Sequence, residues 1–575
     1  MGEKLNPQTI ALPPALQSEV AKAQEAWRLG KKAERLWRKD ATLWTGGDES
    51  DWLGWLHVID DELHDLDALR DFARGVRAEG FSDVLLLGMG GSSLGPEVLA
   101  KSLGSAPGYP KLHVLDSTDP EQVRRFERGI DIRRTLFIVS SKSGTTLEPN
   151  VLFDYFFART SAVIGKAAGR HFIAITDPGS RLQDTAAQKG FRGVFLGVPS
   201  IGGRYSVLSK FGLVPLAASG HDVHAFLDAA GVMAKACGPE MPALENPGVA
   251  LGLAIGVLAR EGRDKLTVVA SPSIAPFAAW IEQLVAESTG KNGQGVIPIA
   301  GEPLGGPTVY DAHRLFLYLR DASDLHHAQE QAVDRLEHAG HPIVRISLAS
   351  PKLLAQEFFR FELATAVAGA VLGVNPFDQP DVEASKVATR EVTAAFERTG
   401  SLPSEPAVFE EDRIALYADL GNAEALRKLG ASSTLASWLK AHFARLADGD
   451  YFAVLAYLDA TAARLPALQS LRTAVRDRKR VATCLQFGPR FLHSTGQAYK
   501  GGPNSGVFLQ LTAAATSDLA IPGRSASFSV IEAAQAQGDF RVLAERGRRV
   551  LRAHIAGEVD EGIAAIAAAA RLGLE

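Results

Sequence analysis

Residues 84–96 read VLLLGMGGSSLGP, and this stretch decides the fold. The apolar run Val84 to Leu87 has no polar interruption, the pattern of a strand buried on both faces. It stops at Gly88, and a glycine-rich turn then leads into Leu94 and Pro96, which open a helix. Glycines let a backbone approach an anion closely, Ser92 and Ser93 add hydroxyl donors, and a helix N-terminus adds free N–H groups. Dinucleotide sites use similar loops, but the glycine spacing here departs from their fingerprint. Asp116, after the next apolar run, also lacks the context of a ribose-binding acid.

The same texture repeats outward. Leu112–Leu115 runs into Asp116, Leu136–Val139 into Ser140, and Phe172–Ile175 towards Asp177. The pattern restarts at Leu266–Ala270 and continues through Phe316–Leu319 and Ile343–Ile346. Buried strands alternating with helices predict α/β units with parallel sheets. The reading is a helical N-terminal arm over 1–75, a first α/β domain over 76–244, a second over 245–394, and a C-terminal α/β unit over 395–575. The boundary near 245 falls at Leu244-Glu245-Asn246-Pro247-Gly248. In the arm, Leu16 to Leu36 spaces apolar residues three and four apart, and Trp27, Trp37, Trp44, Trp52 and Trp55 suit packing rather than ligand binding. The C-terminal unit starts helical, offers strand-like runs at Val481–Leu485 and Val507–Leu511, and ends in an Ala- and Arg-rich helical tail.

Bulk properties narrow the function. The chain has 575 residues, 46% hydrophobic and 22% charged, which suits a soluble globular protein with a large core. The formal net charge is −5 and no long basic run occurs, which argues against nucleic acid or an acidic membrane as partner. Two distant cysteines, Cys237 and Cys484, fit a reducing, cytoplasmic compartment. The N-terminal MGEKLNPQTI has no apolar signal core, and Asn6 stands where an acylated Gly2 would want Ser or Thr. The apolar stretch Leu363 to Leu372 is short for a bilayer and suits a buried helix.

A second loop is richer in donors. Ser140-Ser141-Lys142-Ser143-Gly144-Thr145-Thr146-Leu147-Glu148 offers five hydroxyls, one ammonium and several backbone N–H groups at the end of a strand. That density suits the three oxygens of a phosphate monoester. No histidine pairs with Cys, Asp or Glu at metal-ligand spacing, so neither a metal nor a cofactor is expected.

With both loops in view, the chain resembles the sugar-isomerase domain family, and phosphoglucose isomerases in particular. The resemblance implies two doubly wound parallel-sheet sugar-isomerase domains, with the helical arm and the C-terminal unit added. It implies a small-molecule sugar phosphate as ligand and interconversion of glucose 6-phosphate and fructose 6-phosphate through a cis-enediol(ate). Two alternatives are a dual phosphoglucose/phosphomannose isomerase and a non-catalytic sugar-phosphate-binding regulator. Phosphate binding is implied for Ser141, Ser143 and Thr146 with Lys142 beside them, and a place by the sugar for Gly91 and Ser92.

Further motifs carry further roles. Gly202-Gly203-Arg204-Tyr205-Ser206 matches the family's Gly-Gly-Arg-Tyr/Phe-Ser. Arg204 would hold the enediolate oxygen, which needs a fixed cation, with Gly203 close to the sugar. Glu287 matches the general base of the Glu-Ser-x-Gly-Lys turn. In Asn375-Pro376-Phe377-Asp378-Gln379-Pro380-Asp381-Val382-Glu383-Ala384-Ser385-Lys386, Gln379 and Lys386 keep the family's separation of seven. Gln379 is implied at the phosphate and Lys386 at the ring oxygen, and two helical turns would put both on one face.

The family's ring-opening histidine normally lies between base and lysine, where this chain has only His313 in a poor frame. The frame Leu-His-Ser-x-Gly-Gln occurs instead at Leu492-His493-Ser494-Thr495-Gly496-Gln497. His493 is therefore the expected histidine and His313 its alternative. The arrangement is similar to the isomerase half of bifunctional transaldolase/phosphoglucose isomerase proteins. If His493 reaches the site within its own chain, a monomer suffices. Otherwise a homodimer is expected.

Overall fold

The structure is a computed structural model that describes residues 4–575, so Gly2 lies outside the described residues. Its strands are β1 (Gln8–Ala11), β2 (Asp83–Leu87), β3 (Lys111–Leu115), β4 (Thr135–Ser140), β5 (Phe172–Thr176) and β6 (Gly193–Leu196). Then come β7 (Lys265–Ala270), β8 (Ile297–Ala300), β9 (Arg314–Asp321) and β10 (Ile343–Leu348). The last six are β11 (Phe409–Glu411), β12 (Ile414–Tyr417), β13 (Tyr451–Tyr457), β14 (Ala482–Phe487), β15 (Gly506–Ala513) and β16 (Arg549–Ile555).

They form three sheets. The first has the order β3-β2-β4-β5-β6 and the second β1-β10-β9-β7-β8. The third runs β11-β12-β16-β15-β13-β14. The first sheet is parallel throughout, as expected where every connection passes over a helix. In the second, β1 adds an antiparallel edge to β10. The arm therefore opens on a strand, where helix was expected: Gln8–Ala11 is too short to show a period, and only the free edge of β10 makes it a strand.

The third sheet is parallel over β16-β15-β13-β14 and capped by the β11–β12 hairpin. Its central strand β13 is buried at every position. The sequence YFAVLAY there could equally serve a buried helix, which is why pattern alone did not mark it.

One helix organises the first two domains. Leu354–Leu372 is buried over almost its whole length, as its apolar composition requires. It packs on the helix Pro247–Arg260, whose glycines let the two backbones approach. A Cβ on Gly252 would lie 2.4 Å from the Ala364 carbonyl oxygen. The arm closes over this pair: Trp44 Nε1 donates to the Ala366 carbonyl at 2.8 Å. Among the described residues, no helix is long and apolar enough to cross a membrane.

The C-terminal unit has its own core around Phe452, Leu509 and Leu551. It is joined to the second domain by buried polar groups. Glu302 accepts from Arg314 at 2.9 Å and from the Thr483 backbone N–H at 2.9 Å, and Glu282 accepts from Gln486 at 2.9 Å. Such groups are costly to bury unless each finds its partner, so this interface has one well-defined geometry.

Candidate active site

The phosphate-type cradle forms where β4 ends and the helix Leu147–Ile164 begins. Thr146 is the N-cap but makes no side-chain cap bond, which leaves the first-turn N–H groups to be satisfied by a ligand or solvent. Gly144 turns the loop with φ +69°, and a Cβ there would meet the Leu182 backbone nitrogen at 2.6 Å. Ser141 donates to Thr146 Oγ1 at 3.4 Å, and the Ser143 and Thr145 hydroxyls are 2.9 Å apart. Asn150, which sequence reading passed over, braces the loop by donating to the Thr146 carbonyl at 2.7 Å.

Lys142 is not with these hydroxyls. Its ammonium is bound to Asp177 and to the Val198 carbonyl, the latter at 3.0 Å, so it ties neighbouring loops together and does not line the cleft. A carboxylate at the end of the adjacent strand outcompetes solvent for a lysine so placed.

The cleft next to the cradle has a volume of about 640 Å³. Ser143, Thr146, Glu148, Lys386, His493 and Gln535 lie on its walls. His493 Nε2 is 3.0 Å from Glu148 Oε1, and Gln535 donates to the same oxygen at 2.6 Å. Burial alone would raise the Glu148 pKa, but the charge and hydrogen bond of His493 hold it below the ordinary carboxylate value. Lys386 projects from the helix Pro380–Thr399, 3.5 Å from Glu383.

His313 lies elsewhere. Its Nδ1 is 2.7 Å from the Gly262 carbonyl and its Nε2 3.3 Å from Asp448, and it does not line the cleft.

A second group of residues sits behind His493. The guanidinium of Arg204 donates to Ser288 Oγ at 2.7 Å, Gln379 Oε1 at 2.9 Å, and the carbonyls of Pro376 and Asp378 at 2.7 and 2.9 Å. Its Nη1 is also 3.2 Å from Glu287 Oε1. Glu287, in the last turn of the helix Phe277–Thr289, accepts from Gln283 at 3.1 Å, and the same amide donates to the His493 carbonyl at 2.8 Å. Gln283 thus links the two groups.

Gly91 touches the Arg204 turn: a Cβ on it would fall 2.0 Å from the Gly203 carbonyl oxygen, so only glycine lets these loops meet. Ser92 is buried beside them. Tyr205 stacks on Trp55 of the arm at 5.4 Å, which fixes the turn from outside. Lys291 is buried beside Arg204, and desolvation together with that like charge brings its pKa down to about 7 despite Asp378 at 2.8 Å.

Gln379 and Lys386 do not share a helix face. Gln379 stands ahead of the helix as its N-cap, with non-helical backbone, because Pro380 at the first helical position disfavours helical geometry in the residue before it. Its side chain belongs to the Arg204 group, while Lys386 belongs to the cleft.

The loop carrying His493 is anchored by two residues that sequence reading gave no role. Arg490 donates to Glu97 at 2.7 Å and to Asp116 at 2.8 Å, both in the first domain. Burial would raise Glu97, but Arg490 and Lys101 bring its pKa down to about 2. Gln497 accepts from the Asp381 backbone N–H at 2.9 Å and donates to the Gly290 carbonyl at 3.0 Å. It thereby joins the Lys386 helix to the end of the Glu287 helix.

Comparison with known proteins gives a consistent family. A family model described as Phosphoglucose isomerase matches residues 61–297, a span that holds Arg204 and Glu287 but neither Lys386 nor His493. The glucose-6-phosphate isomerase of Symbiobacterium thermophilum is 30% identical over 389 residues, covering 58% of this chain and 85% of that protein. That of Rubrobacter xylanophilus is 31% identical over 369 residues, covering 56% and 84%. Among solved structures, a hypothetical protein from Thermus thermophilus superposes with a TM-score of 0.58 at 26% identity, over 67% of this chain and 100% of that one.

Proposed function

The chain belongs to the phosphoglucose isomerase family, and we propose that it interconverts glucose 6-phosphate and fructose 6-phosphate through an enediolate, with each step assigned to a residue of the site. The observation that carries this reading is the Gln283 amide. It bridges the Glu287 carboxylate and the His493 backbone, and so brings a base beside an imidazole-bearing loop at the edge of a hydroxyl-rich cleft.

Ser141, Ser143 and Thr146 hold the phosphate with the free N–H groups of the helix that Thr146 begins. Ring opening needs a proton taken from the O1 hydroxyl and one delivered to the ring oxygen. With Nε2 held by Glu148, the imidazole of His493 takes the O1 proton at Nδ1. Lys386 supplies the proton at the ring oxygen.

Glu287 then moves a proton between C2 and C1, and Arg204 stabilises the charge that grows on the enediolate oxygens. Gln379 acts through Arg204, holding the guanidinium in place. Because His493 and Glu287 belong to one chain, a single copy carries every group this mechanism requires.

The test is a coupled assay of the purified chain on fructose 6-phosphate, with deuterium incorporation at the transferred position followed in heavy water. Turnover with partial solvent exchange is expected. Absence of turnover in both directions overturns the reading.

A further inference from the structure

The third sheet has a crevice that the isomerase chemistry does not use. From β13 the chain crosses to β14 on one side, and from β15 it continues to β16 on the other, so the winding reverses between the neighbours β13 and β15. In open α/β sheets, ligands bind outside the carboxyl ends of the strands at such a reversal. A cavity of about 560 Å³ lies there, the size of a small-molecule site. Tyr457 ends β13 on its wall with Leu458 just after it, and residues 512–515 span the end of β15. The helix Phe528–Glu545 contributes Glu532 and Ala533. The same helix holds Gln535 against Glu148, so the cavity and the cleft stand on two sides of one helix.

The charge of the lining is unbalanced. The two guanidiniums in it are already committed. Arg552 is paired with Glu405 and packed between Tyr417 at 4.4 Å and Phe540 at 4.9 Å. Arg464 is held by Glu121 at 3.1 Å and Asp560 at 2.9 Å.

Apart from the imidazole of His554, what remains is acidic: Asp119, which caps the helix Pro120–Arg128 at the first domain's rim, Asp518, which accepts from the Leu519 and Ser529 backbone N–H groups, and Glu532. Glu532 Oε1 is buried with no hydrogen-bond partner, and so is the hydroxyl of Tyr457, a residue only 3% exposed. Burial, reinforced by neighbouring carboxylates, raises Glu532 well above the ordinary carboxylate value, and burial brings Asp119 to about 6. Buried carboxyls without a cation are unfavourable, and a bound cation removes that penalty. Among the described residues, no three His, Cys, Asp or Glu side chains converge as a metal ion needs. The aromatic and apolar walls Tyr417, Tyr457 and Leu458 suit the body of an organic cation.

We propose that this crevice binds a small organic cation, a primary ammonium on an apolar or aromatic body, with Glu532 and Asp119 as charge partners and Tyr417, Tyr457 and Leu458 as walls.

The test titrates tyramine into the full-length chain by calorimetry, with 4-ethylphenol, the same body without the amine, alongside. Tyramine should bind with Kd of about 0.1–1 mM, and 4-ethylphenol at least about tenfold more weakly. Glu532→Gln should weaken tyramine about tenfold or more, and Ala533→Phe, which fills the cavity, should abolish binding. Circular dichroism checks that both variants are folded. Should either fail to fold, the wild-type contrast of the amine against its amine-free analogue decides. Absence of tyramine binding at about 10 mM, equal binding of the two probes, or full affinity in both folded variants overturns the proposal.

Discussion

The two groups of the site are built in opposite ways. The cleft group, with the cradle, Lys386 and His493, faces open space, and its donors are hydroxyls, N–H groups and one ammonium that water can satisfy when no ligand is bound. The Arg204 group is closed. Arg204 is 2% exposed, and it donates to Ser288, Gln379 and two carbonyls while its charge pairs with Glu287 at 3.2 Å. The difference follows from charge: a neutral donor can wait for its ligand in water, whereas a buried ion must be satisfied at all times. Changes in the closed group should therefore cost turnover, and changes in the open group should cost substrate affinity.

The largest effect tests the closed group. Glu287→Gln keeps the shape and removes the base, so kcat should fall by about 10³–10⁴ with KM nearly unchanged. Near-normal turnover would remove Glu287 from the mechanism.

Next comes Arg204→Lys, which has three donors where four hydrogen bonds are made. We expect kcat to fall by about 10²–10³ and stability by about 2–4 kcal/mol, because buried acceptors lose their partner. Urea denaturation beside the kinetics separates the two losses.

His493→Ala lies at the junction of the groups. It should slow reaction of the closed-ring sugar about 10²-fold, while proton exchange on the open-chain form changes little. Equal slowing of both would assign His493 to the proton-transfer step instead.

In the open group, Thr146→Ala should raise KM for glucose 6-phosphate about tenfold and leave kcat near wild type. An unchanged KM would refute the cradle.

The smallest effect on activity is expected at the anchor of the His493 loop. Glu97→Gln should change kcat only a few-fold and lower stability by roughly 2 kcal/mol at neutral pH. Its folded pKa of about 2 lies below the ordinary 4.5, so the stabilisation is present above pH 4.5 and lost as pH falls through about 2. The gap between wild-type and variant denaturation curves should therefore narrow from pH 4.5 downward. A gap independent of pH would detach Glu97 from the Arg490 ion pair.

Much of the fold was legible because buried parallel strands advertise themselves. Val84–Leu87, Leu136–Val139 and Leu266–Ala270 are uninterrupted apolar runs that end in glycine or polar turns, and each is a strand. The strands that escaped notice, such as β1 and β13, are short or ambiguous, and tertiary pairing alone gives them their form. At the site, motifs pointed to Arg204, Glu287 and His493 because local backbone constraints leave traces in local sequence. Glu148 and Gln283 left no comparable trace. Glu148 stands 345 residues from the histidine it holds, and a hydrogen-bond partner can come from any distance along the chain.

What the sequence determined by itself, then, is the alternation of strand and helix, the donor-rich loop at 140–148 and the family those features indicate. These are local matters: periodicity, glycine placement and capping act over a few residues. Only the tertiary structure decided that His493, not His313, stands beside Glu148, that Lys142 turns away to Asp177, and that Gln379 serves Arg204. Each of these is a competition among polar groups for partners brought together by packing. Its outcome depends on distances of about 3 Å that no local pattern encodes.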